Sequence, residues 1–236
     1  MTIRAVFFDA GDTLIHRWAL KHERFTWLCR LAGIALPDDP ARARAGTLAH
    51  ERYFQDRRKH DDAFSLNWYL RLNRAGLVGM GAGGDLDALS AAMIKAAQAV
   101  PKEEVPDPAA IPLLEHLRTN GYRLAVVSNW DGTLVEYLRR TGLGGYFDAV
   151  LDSDVVGSRK PDTRIFAIAC AATGVRPEEA VHIGDSPCAD VAGAQAAGVR
   201  PLLLDALDLF GDGFDSLAPF ERIQKLSDLP AWLAAQ

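Results

Sequence analysis

Cysteine is scarce in this chain: Cys29, Cys170 and Cys188 are the three among 236 residues, and they lie far apart. An odd, scattered set builds neither a disulfide framework nor a CxxC zinc site, and a reducing cytoplasm is the simplest setting for it. Long apolar runs are missing as well. The first apolar stretch, after Arg4, is too short for a signal-peptide core, and no later one approaches the roughly 20 residues that cross a bilayer. Neither export nor membrane insertion has support. Nor is there an excess of base: 26 Lys and Arg stand against 31 Asp and Glu, a formal net charge of -5, which gives nucleic-acid binding no footing. No internal repeat and no low-complexity tract is visible. What remains is a soluble globular chain with small molecules as its expected partners; composition says nothing of its oligomeric state.

With 49% hydrophobic and 24% charged residues, the chain is long enough to bury a sizeable core and to carry one compact insertion. The stretch Val6-Phe7-Phe8-Asp9-Ala10-Gly11-Asp12-Thr13-Leu14 organises the rest. Its apolar residues do not alternate with polar ones, the pattern of a parallel strand covered on both faces, and it ends abruptly in the carboxylate of Asp9. Ligands in open α/β sheets bind beyond the carboxyl ends of such strands. Asp9 is therefore expected at a reaction site.

From about His16 to Ala99 the pattern is helical, rich in Ala, Leu and Arg, with no credible strand. Phe25, Leu28, Cys29 and Ala32 recur at three-and-four spacing, as do Trp68, Leu72 and Ala75, each set giving an amphipathic face. A last helix near Asp85 is expected to pack Leu86, Leu89, Met93 and Ala97. Residues 37–40 and the glycine-rich run 79–84 punctuate the unit. From Pro101 the periodicity switches to alternating helix and strand. Helices are predicted over 111–119, 134–140, 164–172 and 191–197, and strands over 124–128, 149–151, 180–183 and 200–204. Such alternation implies right-handed crossovers and a parallel sheet, which the first strand, residues 4–9, joins across the insertion. Residues 207–219 carry no assignable pattern, and the tail from Phe220 reads as a helix closed by Leu229-Pro230 with a short last turn through Trp232. The expected fold is a doubly wound, Rossmann-like α/β core of residues 1–15 and 101–236. An all-helical cap spans residues 16–100, with the active site in the cleft beneath it.

Each core strand ends in a residue with usable chemistry: Asp9, then Ser128, then Asp185 after Ile183-Gly184. The loop Gly157-Ser158-Arg159-Lys160-Pro161-Asp162 falls between them. In a parallel sheet these ends converge on one edge, bringing carboxylates, a hydroxyl and an ammonium into a small volume. Clustered carboxylates repel unless a cation lies between them, and a few hard oxygen donors suit Mg²⁺, which bridges readily to phosphate. The constellation implies a magnesium-assisted reaction on a small phosphorylated metabolite.

The residues that carry this chemistry also carry a resemblance. Asp9-Ala10-Gly11-Asp12-Thr13-Leu14, Ser128-Asn129, Lys160-Pro161-Asp162, and Gly184-Asp185-Ser186 with Asp190-Val191-Ala192-Gly193-Ala194 occur in order, each at a predicted strand end. The chain resembles the haloacid dehalogenase-like hydrolase superfamily, in the branch whose helical cap follows the first strand. That resemblance implies that Asp9 attacks phosphorus to form an aspartyl-phosphate, which water then hydrolyses. Covalent catalysis of this kind splits one difficult displacement into two. The resemblance assigns Ser128 to hydrogen bonding of the phosphoryl oxygens, with Asn129 beside it as a substrate contact. Lys160 neutralises nucleophile and phosphate, and Thr13 helps hold the phosphate loop. It implies Mg²⁺ bound by Asp9, Asp185 and the carbonyl of Gly11, with Asp190 orienting Lys160 or a metal-bound water. Phosphoryl transfer needs positioning and charge neutralisation more than elaborate acid chemistry.

One position departs from the pattern. Family phosphatases usually carry a second aspartate two residues after the nucleophile, as acid and base; here that position is Gly11. Such help is worth about 10²–10⁴-fold. Asp12, one residue on, reads as a turn former that tolerates the left-handed conformation; the sharper reading is a displaced acid/base or metal ligand. Dehalogenases of the superfamily also lack that aspartate and displace halide without a metal, but Asp185 with Asp190 favours a phosphatase. A metal-independent 2-haloacid dehalogenase, or a phosphate- or partner-binding protein without turnover, are the alternatives. Among the remaining residues, His182 reads as a satisfied core histidine and Cys188 as a structural thiol. Arg52, Arg57, Arg58, Lys59 and His60 read as a solvated helix face. His16, Arg17 and Trp18 follow the catalytic turn at the hinge into the cap, a place for specificity groups.

Overall fold

The computed structural model describes residues 2–16, 24–56, 65–99, 105–208, 210 and 217–236. The elements begin with β1 (Ala5–Phe8), β2 (Ile15–His16), α1 (Arg24–Leu31), α2 (Pro40–Gln55), α3 (Leu66–Gly79) and α4 (Leu86–Ala99). After β3 (Val105–Pro106) come α5 (Ala110–Thr119), β4 (Arg123–Ser128), α6 (Leu134–Arg140), β5 (Ala149–Asp152), α7 (Ser153–Val156) and α8 (Thr163–Thr173). The chain closes with β6 (Ala180–Gly184), α9 (Ala192–Ala196), β7 (Arg200–Leu204), β8 (Glu221–Ile223) and α10 (Leu229–Ala234). They fall into two compact units, Met1–His16 with Val105–Gln236, and Arg17–Glu104.

The first unit is built on a six-stranded sheet in the order β5-β4-β1-β6-β7-β8, with every neighbouring pair parallel. β1 has all its side chains buried because helices cover both faces. Val6 and Phe8 point into one core with Leu114 and Leu117 of α5 and Leu138 of α6. Ala5 and Phe7 point into the other, with Ile165, Phe166 and Ala169 of α8. This is the physical content of an apolar run that does not alternate. The strand order reverses between β1 and β6, so the switch-point crevice opens at their carboxyl ends, where Asp9 and Asp185 follow. The architecture is the doubly wound, Rossmann-like α/β fold.

Turn and cap chemistry fixes the connections. Asp162 caps α8, its carboxylate accepting from the Arg164 amide, and Gly174 ends that helix in the left-handed conformation that glycine adopts without steric cost. β2 and β3 pair antiparallel where the chain leaves and re-enters this unit, and His16 Nε2 lies 2.8 Å from Asp107 Oδ2 beside that ribbon. The helical reading from His16 onward thus missed a two-residue strand, too short to show a period.

The second unit is helical. Phe25, Leu28 and Cys29 of α1 meet Leu77, Met80 and Met93 in one core, with Ala32, Leu86, Leu89 and Ala97 packed against it. Trp68 and Leu72 of α3 are buried as well. Asp39 caps α2, with Pro40 in its first turn, and Ser65 caps α3. Arg52 lies exposed on α2; Arg17, Trp18, Arg57, Arg58, Lys59 and His60 lie outside the described residues. No helix among the described residues is long and apolar enough to cross a membrane.

Two local expectations are corrected. The tail from Phe220 is not a helix: Glu221–Ile223 adds β8 to the sheet edge beside β7. The tail's helix instead starts at Leu229, with Pro230 in its first turn. Proline opens a helix at that position, where its missing N–H costs nothing. The helix expected over 191–197 is divided into a π-helical turn, Pro187–Val191, and the short α9.

Candidate active site

Asp9 leaves β1 with its amide still bonded to the Ile183 carbonyl of β6, at 2.9 Å, so its position is set by the sheet. Lys160 comes from the loop between α7 and α8. Its Nζ lies 2.6 Å from Asp9 Oδ1 and 2.6 Å from Asp190 Oδ1, a buried ammonium bridging two carboxylates from distant parts of the chain. Asn129 holds the Lys160 backbone at two points: its Oδ1 accepts from the Lys160 amide at 2.8 Å and its Nδ2 donates to the Lys160 carbonyl at 3.0 Å. The Asn129 amide thereby locks the lysine loop to the end of β4. Gly193 lets α9 approach this loop, since a Cβ there would sit 2.7 Å from Phe166 and 3.0 Å from the Pro161 Cα.

Asp190 accepts three hydrogen bonds. Oδ1 accepts from Lys160 and from His182 Nε2 at 2.8 Å, and Oδ2 accepts from the Ser186 amide at 2.9 Å. The π-helical turn, begun by Ser186 and Pro187, swings Asp190 back over β6. There Gly184 makes room, because a Cβ at that position would fall on the Asp190 carboxylate. Ser186 Oγ accepts from the Ala189 amide at 3.2 Å and secures the turn.

Burial pushes the Asp9 carboxyl up to about 7; the Lys160 ammonium pulls the other way, and Asp190 and Asp185 push it up again. Burial also works against the charge on Asp190, but Lys160 and the His182 hydrogen bond outweigh it and hold that carboxyl well below the usual range. The Lys160 ammonium, disfavoured by burial, is held above its ordinary value by Asp190 and Asp9. Burial keeps His182 below the usual imidazole range. It is neutral at pH 7, and because a carboxylate can only accept, its Nε2 carries the proton. Oxygens of Asp9, Asp185 and Asp190 lie within 4.8 Å of one another. Hard oxygens crowded this closely, with one carboxyl raised first by burial and then by the other two, fit a small divalent cation.

The turn after Asp9 is wound around one carbonyl, that of Ala10, which accepts from the amides of Thr13, Leu14 and Ile15. Asp12 has φ +56°, the left-handed conformation foreseen for a turn former, and its amide bonds the Ile15 carbonyl at 2.7 Å. Thr13 is fully buried, and its Oγ1 has no hydrogen-bond partner among the described residues. A buried, unpaired hydroxyl costs about 1–3 kcal/mol, which a ligand oxygen would relieve. Gly11 is half-buried; a side chain there would start 3.6 Å from the Trp130 ring. Ser128 is buried at the end of β4. The loop after it is pinned by Ser153, whose Oγ accepts from the Trp130 amide and donates to its carbonyl. Asp152 adds to this by accepting from the Gly132 and Leu134 amides.

Asp152 and Ser153 are residues that sequence reasoning passed over, and His182 read as a satisfied core histidine without its partner, Asp190. For His182 there was a signal, a polar side chain within an apolar strand three residues before Asp185; for the other two there was none beyond the strand end. The three cysteines are free and buried, with burial pushing Cys29 up to about 11.

With this geometry, the family model for haloacid dehalogenase-like hydrolases matches residues 3–198. The chain belongs to the haloacid dehalogenase-like hydrolases. Among curated relatives of this hydrolase, a phosphoserine phosphatase from Thermus thermophilus is 44% identical over 99 residues, 42% of this chain and 40% of that protein. The matched stretches cover less than half the length of such relatives. Among solved structures, a phosphatase of the family from Thermococcus onnurineus aligns over 99% of both chains with a TM-score of 0.58 and 25% identity. A 2-haloacid dehalogenase from Pseudomonas syringae aligns over 99% of both chains with a TM-score of 0.56 and 26% identity.

Proposed function

We propose that this hydrolase is a Mg²⁺-dependent phosphatase acting on a small phosphate monoester. The observation that carries the reading is the Lys160 ammonium 2.6 Å from both Asp9 and Asp190, with Asp185 beside them. A dianionic phosphate needs such compensation before a carboxylate can approach it. Asp9 and Asp185, with the Gly11 carbonyl, would hold the metal, since the Asp190 oxygens already accept three hydrogen bonds. When bound, Mg²⁺ supplies charge neutralisation for the phosphoryl oxygens.

In this reading an Asp9 oxygen attacks phosphorus, the bond from phosphorus to the leaving oxygen breaks, and water then displaces the carboxylate to release inorganic phosphate. Lys160 balances the charge on Asp9 and on the phosphoryl group. Ser128 and the unpaired Thr13 hydroxyl donate to the phosphoryl oxygens. With glycine at position 11, the leaving oxygen takes its proton from water. The test is a panel of phosphorylated metabolites, phosphoserine included, assayed with Mg²⁺ and with chelator alongside haloacids. Turnover that disappears with chelator and in Asp9→Asn is expected; undiminished turnover in chelator sinks the metal mechanism. Gly11 favours one second reading, a metal-independent 2-haloacid dehalogenase, for which halide release is the measurement. Turnover no higher than that of an Asp9→Ala control on every compound would leave a binding protein.

A further inference from the structure

One buried titratable group takes no part in the chemistry above. His182 sits in the middle of β6 with its side chain inside the core, edge-on to Phe166 at 5.0 Å between ring centroids and 83° between planes. An aliphatic residue would satisfy that position in an apolar strand. A buried imidazole instead carries a desolvation cost unless its polar atoms are bonded, and its Nε2 is bonded to Asp190 rather than to the sheet.

We propose that His182 is a positioning residue for the reaction: its Nε2–H fixes the Asp190 carboxylate, and through it the Lys160 ammonium against Asp9. The inference rests on the phosphatase reading. The four groups form one buried chain, imidazole to carboxylate to ammonium to carboxylate, with successive separations of 2.8, 2.6 and 2.6 Å. Asp190 Oδ2 is tied to the Ser186 backbone, whereas Oδ1 is held, among the described residues, by His182 and Lys160. Lys160 is the flexible member, a four-carbon stem whose head follows whichever carboxylate is fixed. Without the His182 donor, Oδ1 keeps the lysine as its partner, but the Asp190 carboxylate is then anchored at Oδ2 alone and can rotate, carrying the ammonium with it when phosphate arrives. Partners of this outer kind typically govern 10–100-fold in activity.

The experiment compares His182→Leu, which fills the space without a donor, with His182→Gln, whose amide N–H reaches the place of Nε2. On an aryl phosphate with saturating Mg²⁺, His182→Leu is expected to lower kcat about 10–100-fold with KM changed less than about threefold, because His182 touches no substrate. His182→Gln is expected to recover kcat to within about fivefold of wild type. Equal losses in the two variants, a loss confined to KM, or full activity in His182→Leu would overturn the proposal. Should His182→Leu fail to fold, the glutamine variant still decides: a folded His182→Gln that loses as much as about 100-fold in kcat also overturns it. The ¹⁵N spectrum of the wild type reads the bond itself, with the neutral Nε2–H tautomer expected at pH 7 and the Nδ1–H tautomer contradicting the proposal. Absence of turnover in the wild type overturns the phosphatase reading and this role with it. An active wild type with the wrong leucine and glutamine contrast overturns this role alone.

Discussion

The two sides of the candidate site are built differently. On one side, Lys160, Asp190, His182 and Asn129 are buried or half-buried and joined by hydrogen bonds of 2.6–3.0 Å. On the other, the turn from Asp9 to Ile15 has a glycine where the family's acid and base usually stands. It also holds a left-handed Asp12 and a buried Thr13 hydroxyl without a partner. For the phosphatase proposed above, the groups that would neutralise charge are preorganised, whereas those that would move a proton are reduced to a backbone turn. Phosphoryl transfer tolerates this division because charge compensation carries more of its barrier than proton transfer does.

The largest expected effect comes from breaking the preorganised side. Lys160→Met leaves Asp9 and Asp190 buried without their shared cation and is expected to lower kcat/KM about 10³-fold. Its cost in stability is about 3–5 kcal/mol, seen in denaturant unfolding; a variant keeping a tenth of wild-type activity contradicts the comparison. Next comes the bare side. Without an acid at position 11, turnover should depend steeply on the leaving group, aryl phosphates exceeding alkyl phosphates by about 10²-fold or more. Equal rates across a series of leaving-group acidities would mean that a proton donor has been overlooked.

The proposed metal would link the two sides, and its effect is expected to be smaller. The Asp9 carboxyl, at about 7 in the metal-free fold, lies above its ordinary value, so the folded chain binds that proton more tightly than the unfolded one. Rising pH between about 4 and 7 therefore removes stability from the metal-free protein. Asp190, shifted the other way, stays ionised across that range, and its contribution is lost only in stronger acid. Saturating Mg²⁺ should raise Tm more at pH 8 than at pH 5, by several degrees; equal shifts at the two pH values would remove Asp9 from the metal site. The smallest effect is expected at Asp12. Replacing it with glycine, which adopts the same φ freely, should leave kcat within about threefold; a fall of about 10²-fold would make Asp12 the displaced acid/base.

Much of this was readable in the chain. The unalternating run from Ala5 to Phe8 specified a strand buried on both faces, and the polar residues ending successive apolar strands specified one reactive edge. Other features were not readable. β8 is a three-residue edge strand at Glu221–Ile223, too short for a period, and it exists because the edge of β7 offers unpaired backbone groups. His182 showed which way a strand residue can face but not what it would meet, since Asp190 returns over β6 only through the π-helical turn and the space left by Gly184. Proximity along a motif likewise does not reveal that the Asn129 amide matches the Lys160 backbone.

By itself the sequence determined the order of the sheet's helices and strands as far as β7, the carboxylate at the end of β1 and the missing side chain at position 11. These are local properties, set by hydrophobic period, turn chemistry and residue identity. Only the tertiary structure decided that Lys160 stands between Asp9 and Asp190, that His182 supports Asp190, and that Asn129 locks the lysine loop. Those contacts join residues up to 151 positions apart, and short-range pattern carries no information about which distant groups the folded sheet brings within hydrogen-bond reach.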